Sequence, residues 1–275
     1  MTFSLNLTKL KATLDFPKYN LPYWLGNKFR GGFGSVLLKA VCGYLKPDCK
    51  NCFNRKDCLY YALYERNKQK RGRSQPVRAI NFIPPFFGRS ITGSGRLNLE
   101  INVFGDYVRY LPHIIYGLRL LGKIGLNRNS KYTVERITDY FTNDIIYDGN
   151  SIYPNAVKTI DLSKLDGEEF KSVKVRFITP IELEKIPLSL SYLLHMVRRR
   201  LILFVNEYGK GEVQNYSCSD ELISSDWRSH RLFHTSKRLG KRMFQAYTGY
   251  SEYKIVKGDK NAFKLLKIGS LIGAG

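Results

Sequence analysis

Four of the five cysteines, Cys42, Cys49, Cys52 and Cys58, fall in one short stretch, while Cys218 stands far away. The Cys49-x2-Cys52 gap lets two thiolates reach one ion, and four thiolates complete a tetrahedral zinc site. The outer spacings are not those of a standard zinc ribbon. An iron–sulfur cluster is compatible with four thiolates, and so are a local disulfide or free thiols. Whichever applies, four protein ligands leave no open position. The cysteines are expected to be a staple, with a structural zinc as the metal reading, and no part of catalysis.

Just before them stands Arg30-Gly31-Gly32-Phe33-Gly34. If a helix begins here, its exposed amides, its dipole and Arg30 suit a phosphate, with Gly31, Gly32 and Gly34 allowing close approach. The same glycines would equally serve close packing of the helix.

Histidine offers general acid–base chemistry near neutral pH, for instance toward a ribose 2′-hydroxyl. There are four. His113 lies in an apolar helical pattern and His195 between Leu194 and Met196, so both read as packing residues. His230 and His234 sit in a stretch, Trp227 to Ser251, that contains no acidic residue. Arg228, Arg231, Lys237, Arg238, Lys241 and Arg242 run through it, interleaved with Phe233, Phe244, Tyr247 and Tyr250. That mixture suits an RNA-tracking surface. On a strand the two histidines share a face but stand about 13 Å apart, so one phosphate engages only one of them. No HxxE, DxD or carboxylate cluster marks a metal-dependent nuclease. Nucleotide-triphosphate loops, serine triads and dinucleotide fingerprints are also absent.

The bulk composition agrees. With 45 Lys+Arg against 23 Asp+Glu, the net charge is +22, which calls for a densely anionic partner. Tyr and Phe, 19 and 16 in number, supply stacking faces as well as core. No apolar run reaches the ~20 residues of a membrane helix, and no signal peptide opens the chain. A cytoplasmic protein without membrane partners is expected.

The elements that must position these groups can be read from periodicity. Residues 3–7 alternate as a strand and a turn-rich stretch with Pro17, Pro22 and Gly26 follows. Phe33, Val36, Leu37, Ala40 and Val41 mark a helix opening at the glycines. Arg66 to Gln75 reads as a basic, mobile run. Strands are expected at 77–82, 97–103 and 132–137, with a helix from Leu111 to Leu121. That order is β-α-β-β-α-β, the ferredoxin-like pattern. It begins again with a strand at Val173–Phe177 stopped by Thr179-Pro180, and a long helix from Leu190 to Phe204. Strands near 229–235 and 242–256 and a helix from Ala262 to Ile268 follow. The expected fold is α+β with two tandem ferredoxin-like (RRM-like) domains, 1–140 and 169–275, the second lacking its last strand. Residues 141–168 connect them, with Asp148-Gly149-Asn150 as a turn.

In their order, these features resemble the CRISPR repeat-RNA processing endoribonucleases of the RAMP superfamily, in a cysteine-loop-containing branch. The markers are Arg30-Gly31-x-x-Gly34, the Cys42…Cys49-x-x-Cys52…Cys58-x-Tyr60 loop leading to Tyr64-Glu65, and Phe104-Gly105 before Leu111-Pro112. The second half adds Phe177-Ile178-Thr179-Pro180, Arg199-Arg200-Leu201, Ser236-Lys237-Arg238 and Tyr247-x-Gly249. Leu266-x-x-Gly269-x-x-Ile272-Gly273-x-Gly275 resembles the lead into the family's glycine-rich loop.

The resemblance implies cleavage of CRISPR precursor RNA within its repeats by 2′-hydroxyl attack, without a metal ion. It implies RNA contacts at Tyr23, the α-helical glycines, the basic stretch, Tyr247, Gly249, Gly269 and Gly273. Family members often carry a catalytic histidine near the glycine-started helix; this chain has none before His113, leaving Tyr23, Lys28, Arg30 and Lys39 there. The expected catalytic groups are therefore Lys28 and Arg30 for phosphate charge, and His234 or His230 as base or acid. A non-catalytic RNA-binding RAMP subunit of a CRISPR complex is the alternative, and a ribosome- or tRNA-associated basic protein the third reading. Other CRISPR-associated proteins or a fused downstream domain are implied partners, since the family's loop and final strand would continue past Gly275.

Overall fold

The computed structural model describes residues 2–43, 47–67, 76–236 and 240–274; for Thr2, His234, Thr235, Ser236, Lys241 and Arg242 it describes the backbone alone. Lys237 and Arg238, and residues 68–75 of the basic run, lie outside the described residues. In chain order the elements are β1 (Thr2–Ser4), β2 (Asn6–Leu21), α1 (Gly26–Val41), β3 (Ile80–Ile83), β4 (Ile91–Phe104), α2 (Leu111–Ile124), β5 (Thr133–Asp139), β6 (Ile145–Tyr147) and β7 (Thr159–Asp161). Then come β8 (Ser172–Ile181), α3 (Leu190–Tyr208), β9 (Lys210–Glu212), β10 (Cys218–Ser236), β11 (Gly240–Gly258) and α4 (Lys260–Ile272). The fold is mixed α+β.

Two units divide the chain: one runs from Asn6 to Ile160, the other joins the residues up to Leu5 to the stretch from Asp161 onward. In the first, an antiparallel sheet has the order β3-β4-β2-β5-β6, with β7 also paired to β2. Leu10, Leu14, Leu99, Ile101 and Ile137 are buried in it, matched by Phe29, Phe33, Val36 and Leu37 of α1 and by Ile114, Ile115, Leu118 and Leu121 of α2. Alternation in the strands and three–four spacing in the helices put these apolar groups on one side of each element. Lys9 is the exception, a buried cation whose Nζ meets Glu100 at 2.8 Å and lies 4.0 Å from the Tyr140 ring centroid.

Three sequence expectations change here. Residues 3–7 are two strands, because the chain breaks pairing at Leu5: β1 pairs with β9 in one unit and β2 with β4 in the other. The stretch around Pro17 is strand rather than turn, since β2 runs on to Leu21 through a bulge between Phe16 and Tyr19. A bulge relieves the ladder of the N–H that proline lacks. Residues 141–168 carry β6, β7 and short turns, and Asp148 accepts from the amides of Asn150 and Ser151 at 2.9 and 2.8 Å to fix the expected turn.

In the other unit the sheet order is β10-β11-β8, all antiparallel, and β10 and β11 form a hairpin longer than periodicity suggests. Thr179-Pro180 does not stop β8. The register jumps from Phe177 opposite Gly249 to Ile181 opposite Tyr247, so the proline sits in an irregularity that strand pairing spans. Both helices start at capped ends. Ser189 accepts from Tyr192 N at 3.2 Å, and Asp259 from Ala262 N at 2.8 Å.

Candidate nucleic-acid interface

Helix α1 opens at Gly26, five residues before the glycine run, and Phe29 N already donates to Leu25 O at 3.0 Å. The amides of Gly31, Gly32 and Gly34 are thus inside the helix, committed to carbonyls four residues back. The expectation that they greet a phosphate is corrected: a hydrogen-bonded amide cannot also cradle an anion. Two of these glycines are notches instead. A methyl at Gly32 would stand 2.7 Å from Leu121 Cδ1 of α2, and one at Gly34 would stand 2.6 Å from the Tyr64 ring. Half-buried Tyr64, whose phenol desolvation pushes upward so that it stays protonated, donates to the Arg30 carbonyl at 2.9 Å. Gly31 faces open space. Lys28, in the first turn, and Arg30 are exposed, while Tyr23 is half-buried before the helix.

The basic stretch forms the far part of the β10–β11 hairpin. Because side chains alternate, it is not one surface but two. Arg228 pairs with Thr248 and Asp226 with Tyr250, while β8 brings Arg176 beside Tyr250 and Lys174 beside Glu252. On this face Lys174 Nζ lies 3.8 Å above the Tyr250 ring centroid, so that ring is already covered. His230 Nε2 and Thr248 Oγ1 are 2.7 Å apart, a hydrogen bond whose direction the tautomer sets. Burial first, and then the Arg228 guanidinium, lower the His230 pKa. The imidazole is neutral at pH 7, the form a general base needs.

The opposite face carries Trp227, tilted against Phe177 with centroids 5.1 Å apart, and Tyr247, Arg231 and the exposed pair Phe233 and Met243. Arg228 and Arg231, three apart, therefore point to different sides. His234 stands opposite Arg242 and Lys241 opposite Thr235 along the hairpin. Gly249, expected as an RNA contact, is required by the sheet itself: its φ is +146, and a Cβ there would run into the Asp226 carbonyl. Gly269 is likewise a notch, where a methyl would stand 2.9 Å from Val197 Cγ2 between α4 and α3. Gly273, at φ +78, ends α4 and opens to solvent. Arg200 holds that end, its buried Nε donating to Ile272 O at 2.9 Å. Burial brings its guanidinium pKa down to about 10. In the sequence Arg200 stands only in the Arg199-Arg200-Leu201 marker; it lies in the middle of α3, and its partner at Ile272 depends on how α4 packs there.

Cys42, Cys49, Cys52 and Cys58 are all free and half-buried, and all line one cavity of about 650 Å³ together with Tyr110 and His113. Burial pushes the Cys49 thiol up, with Glu65 and then the other three thiols adding to it. Among the described residues, no three histidine, cysteine or carboxylate side chains converge as metal ligands. His113 and His195 are not packing residues. Both are exposed on their helices, His113 edge-on to Tyr110 and His195 stacked on Tyr192 with centroids 6.5 Å apart. Apolar neighbours in sequence misled here, because adjacent helical residues point about 100° apart. Among the described residues no helix is long and apolar enough to cross a membrane.

Known proteins share this architecture. The family model for the AF_1859 N-terminal domain matches residues 5–161, and that for its C-terminal domain matches residues 173–275. An uncharacterized protein of Archaeoglobus fulgidus is 58% identical over 276 residues, covering 100% of this chain and 95% of its own. Among solved structures, a Cas6 product complex superposes with a TM-score of 0.52 at 15% identity, over 98% of this chain and 93% of that one. A Thermus thermophilus Cas6 scores 0.49 at 14% identity, over 99% and 92%. The fold is thus like that of Cas6, and the matches over both halves make this chain a member of the AF_1859 family.

Proposed function

We propose that this chain is an endoribonuclease that processes CRISPR precursor RNA within its repeats, built from two ferredoxin-like units. Support for the fold reading comes from the strand orders: β5-β2-β4-β3 and β8-β11-β10 each follow the ferredoxin-like arrangement as far as their strands go. The observation that carries the activity is His230, a neutral imidazole on a basic strand face, braced by Thr248 and flanked by Arg228.

The chemistry this favours is transesterification. The imidazole takes the proton of a ribose 2′-hydroxyl, and the freed oxygen attacks the adjacent phosphorus. The bond to the 5′-oxygen breaks, that oxygen takes a proton, and a 2′,3′-cyclic phosphate and a 5′-hydroxyl result. Arg228 beside the base stabilises charge on the phosphate. Lys28 and Arg30 of α1 are proposed as phosphate contacts on the other unit, and His234 remains the second candidate for acid or base. No step needs a metal ion, and zinc is proposed only as a knot in the cysteine loop, on the chemistry of four thiols that line one cavity without converging as ligands.

A second reading, an RNA-binding subunit without cleavage, is favoured by one feature, the absence of any histidine before His113. Incubation with repeat RNA in EDTA, beside RNA carrying 2′-deoxyribose at the cut site, decides between them. Cleavage in EDTA that the deoxy substrate abolishes supports the nuclease. Tight binding with both RNAs intact supports the subunit.

A further inference from the structure

A second cavity, of about 450 Å³, lies in the unit that carries the hairpin and includes none of the proposed catalytic groups. Its apolar walls are Tyr192 and Met196 from α3 and Met243 and Phe244 from β11. Its polar groups are Glu182 and Glu184, which follow β8, and Gln245. Gln245 donates to Ser229 Oγ at 3.0 Å, which fixes its amide. The volume falls in the range of small-ligand sites. Two aromatic rings and two thioethers make walls suited to a flat ring.

The charge of the cavity decides what enters. In a chain of net charge +22, two carboxylates at one opening are out of character, and they repel phosphate. The nearby start of α3 offers no anion site either, because Asp220 accepts from the amides of Leu190 and Ser191, each at 3.1 Å, and from Ser191 Oγ at 2.9 Å. Carboxylates only accept hydrogen bonds. The ring they suit must present donors side by side. On its Watson–Crick edge guanine offers N1–H and an N2 amino hydrogen in parallel, matching one carboxylate in two bonds. Adenine offers one donor beside one acceptor there, cytosine one donor beside two acceptors, and uracil one donor between two acceptors.

We infer that this cavity is a specificity subsite for one unstacked guanine of a single-stranded RNA. The guanine stacks against Tyr192 and is read by Glu182 or Glu184. The inference rests on the RNA-binding reading above and adds a base preference to it. Arg199 of α3 and Lys210 of β9 are exposed and place cations on this unit for the flanking phosphates.

The test is fluorescence anisotropy with the full chain and four labelled 12-mers: all-uridine, and the same strand with a single central guanosine, inosine or adenosine. Inosine lacks only the N2 amino group. The single guanosine should tighten binding about tenfold over inosine and adenosine, the scale of one bidentate base contact. Glu182→Gln with Glu184→Gln, and separately Tyr192→Ala, should erase that difference while all four strands still bind and far-ultraviolet circular dichroism stays that of the parent chain, which shows the variants are folded. Equal binding of all four strands, or variants that keep the guanosine preference, overturns the subsite and leaves the RNA reading standing. Binding to none of them overturns both.

Discussion

His230 Nε2 and Thr248 Oγ1 meet at 2.7 Å diagonally across the β10–β11 hairpin, with Thr248 directly opposite Arg228. This bond fixes an imidazole whose pKa is lowered, chiefly by burial and next by Arg228. A histidine lowered in the folded state is neutral there over a wider pH range than in the unfolded chain. Its contribution to stability is thus complete above the ordinary value near 6.5 and is lost as pH falls through the folded value. If His230 is the base, cleavage should show an acid limb below pH 6.5. Arg228→Gln should move that limb upward without removing it, because burial remains. His230→Asn should cost 10²-fold or more in rate. An acid limb unchanged in both variants would assign the base elsewhere, with His234→Asn as the next measurement.

Lys28 and Arg30 are exposed on the first turns of α1, so their replacement should act on RNA and not on folding. Lys28→Ala with Arg30→Ala should leave thermal unfolding unchanged. RNA affinity should fall, and the slope of log affinity against log salt should flatten by about 1.4 for two lost contacts to a single strand. An unchanged slope would show that neither side chain meets a phosphate.

Gly34 should be intolerant for a reason that has nothing to do with RNA. A methyl there would stand 2.6 Å from the Tyr64 ring, whose hydroxyl also donates to the Arg30 carbonyl. Gly34→Ala should cost roughly 1–3 kcal/mol in urea denaturation. Gly31→Ala, into open space, should be neutral or slightly stabilising through helix propensity. Equal effects at the two positions would contradict the notch.

The cysteine loop yields a metal measurement. Protein purified under reducing conditions should carry about one zinc per chain, and Cys52→Ser should lose it while Cys218→Ser keeps it. Metal-free protein whose four clustered thiols all react with a thiol reagent would show a loop held without an ion. Its visible supports are then the turn in which Asp48 accepts from Lys50 N at 3.2 Å and from Asn51 Nδ2 at 2.8 Å, and Arg55 donating to Lys50 O at 2.6 Å.

By itself the sequence determined the periodic elements and pointed to an anionic partner. Leu97, Leu99, Ile101 and Val103 alternate because one face of β4 is buried, and the stripe from Leu190 to Phe204 recurs because one side of α3 is. A charge of +22 needs no fold to imply an anionic partner. These are local or additive properties, set by backbone geometry and composition. The tertiary structure decided what depends on partners distant in the chain. It carried β2 through Pro17 by a bulge, and it made Gly32, Gly34, Gly249 and Gly269 notches for Leu121, Tyr64, the Asp226 carbonyl and Val197. It split the basic stretch between two faces, so that Arg228 and Arg231 part company. It also brought Glu182, Tyr192 and Met243 around one cavity from three separate elements. Register and helix packing are fixed by hydrogen bonds and contacts spanning many residues, and no local period encodes which residues those will join.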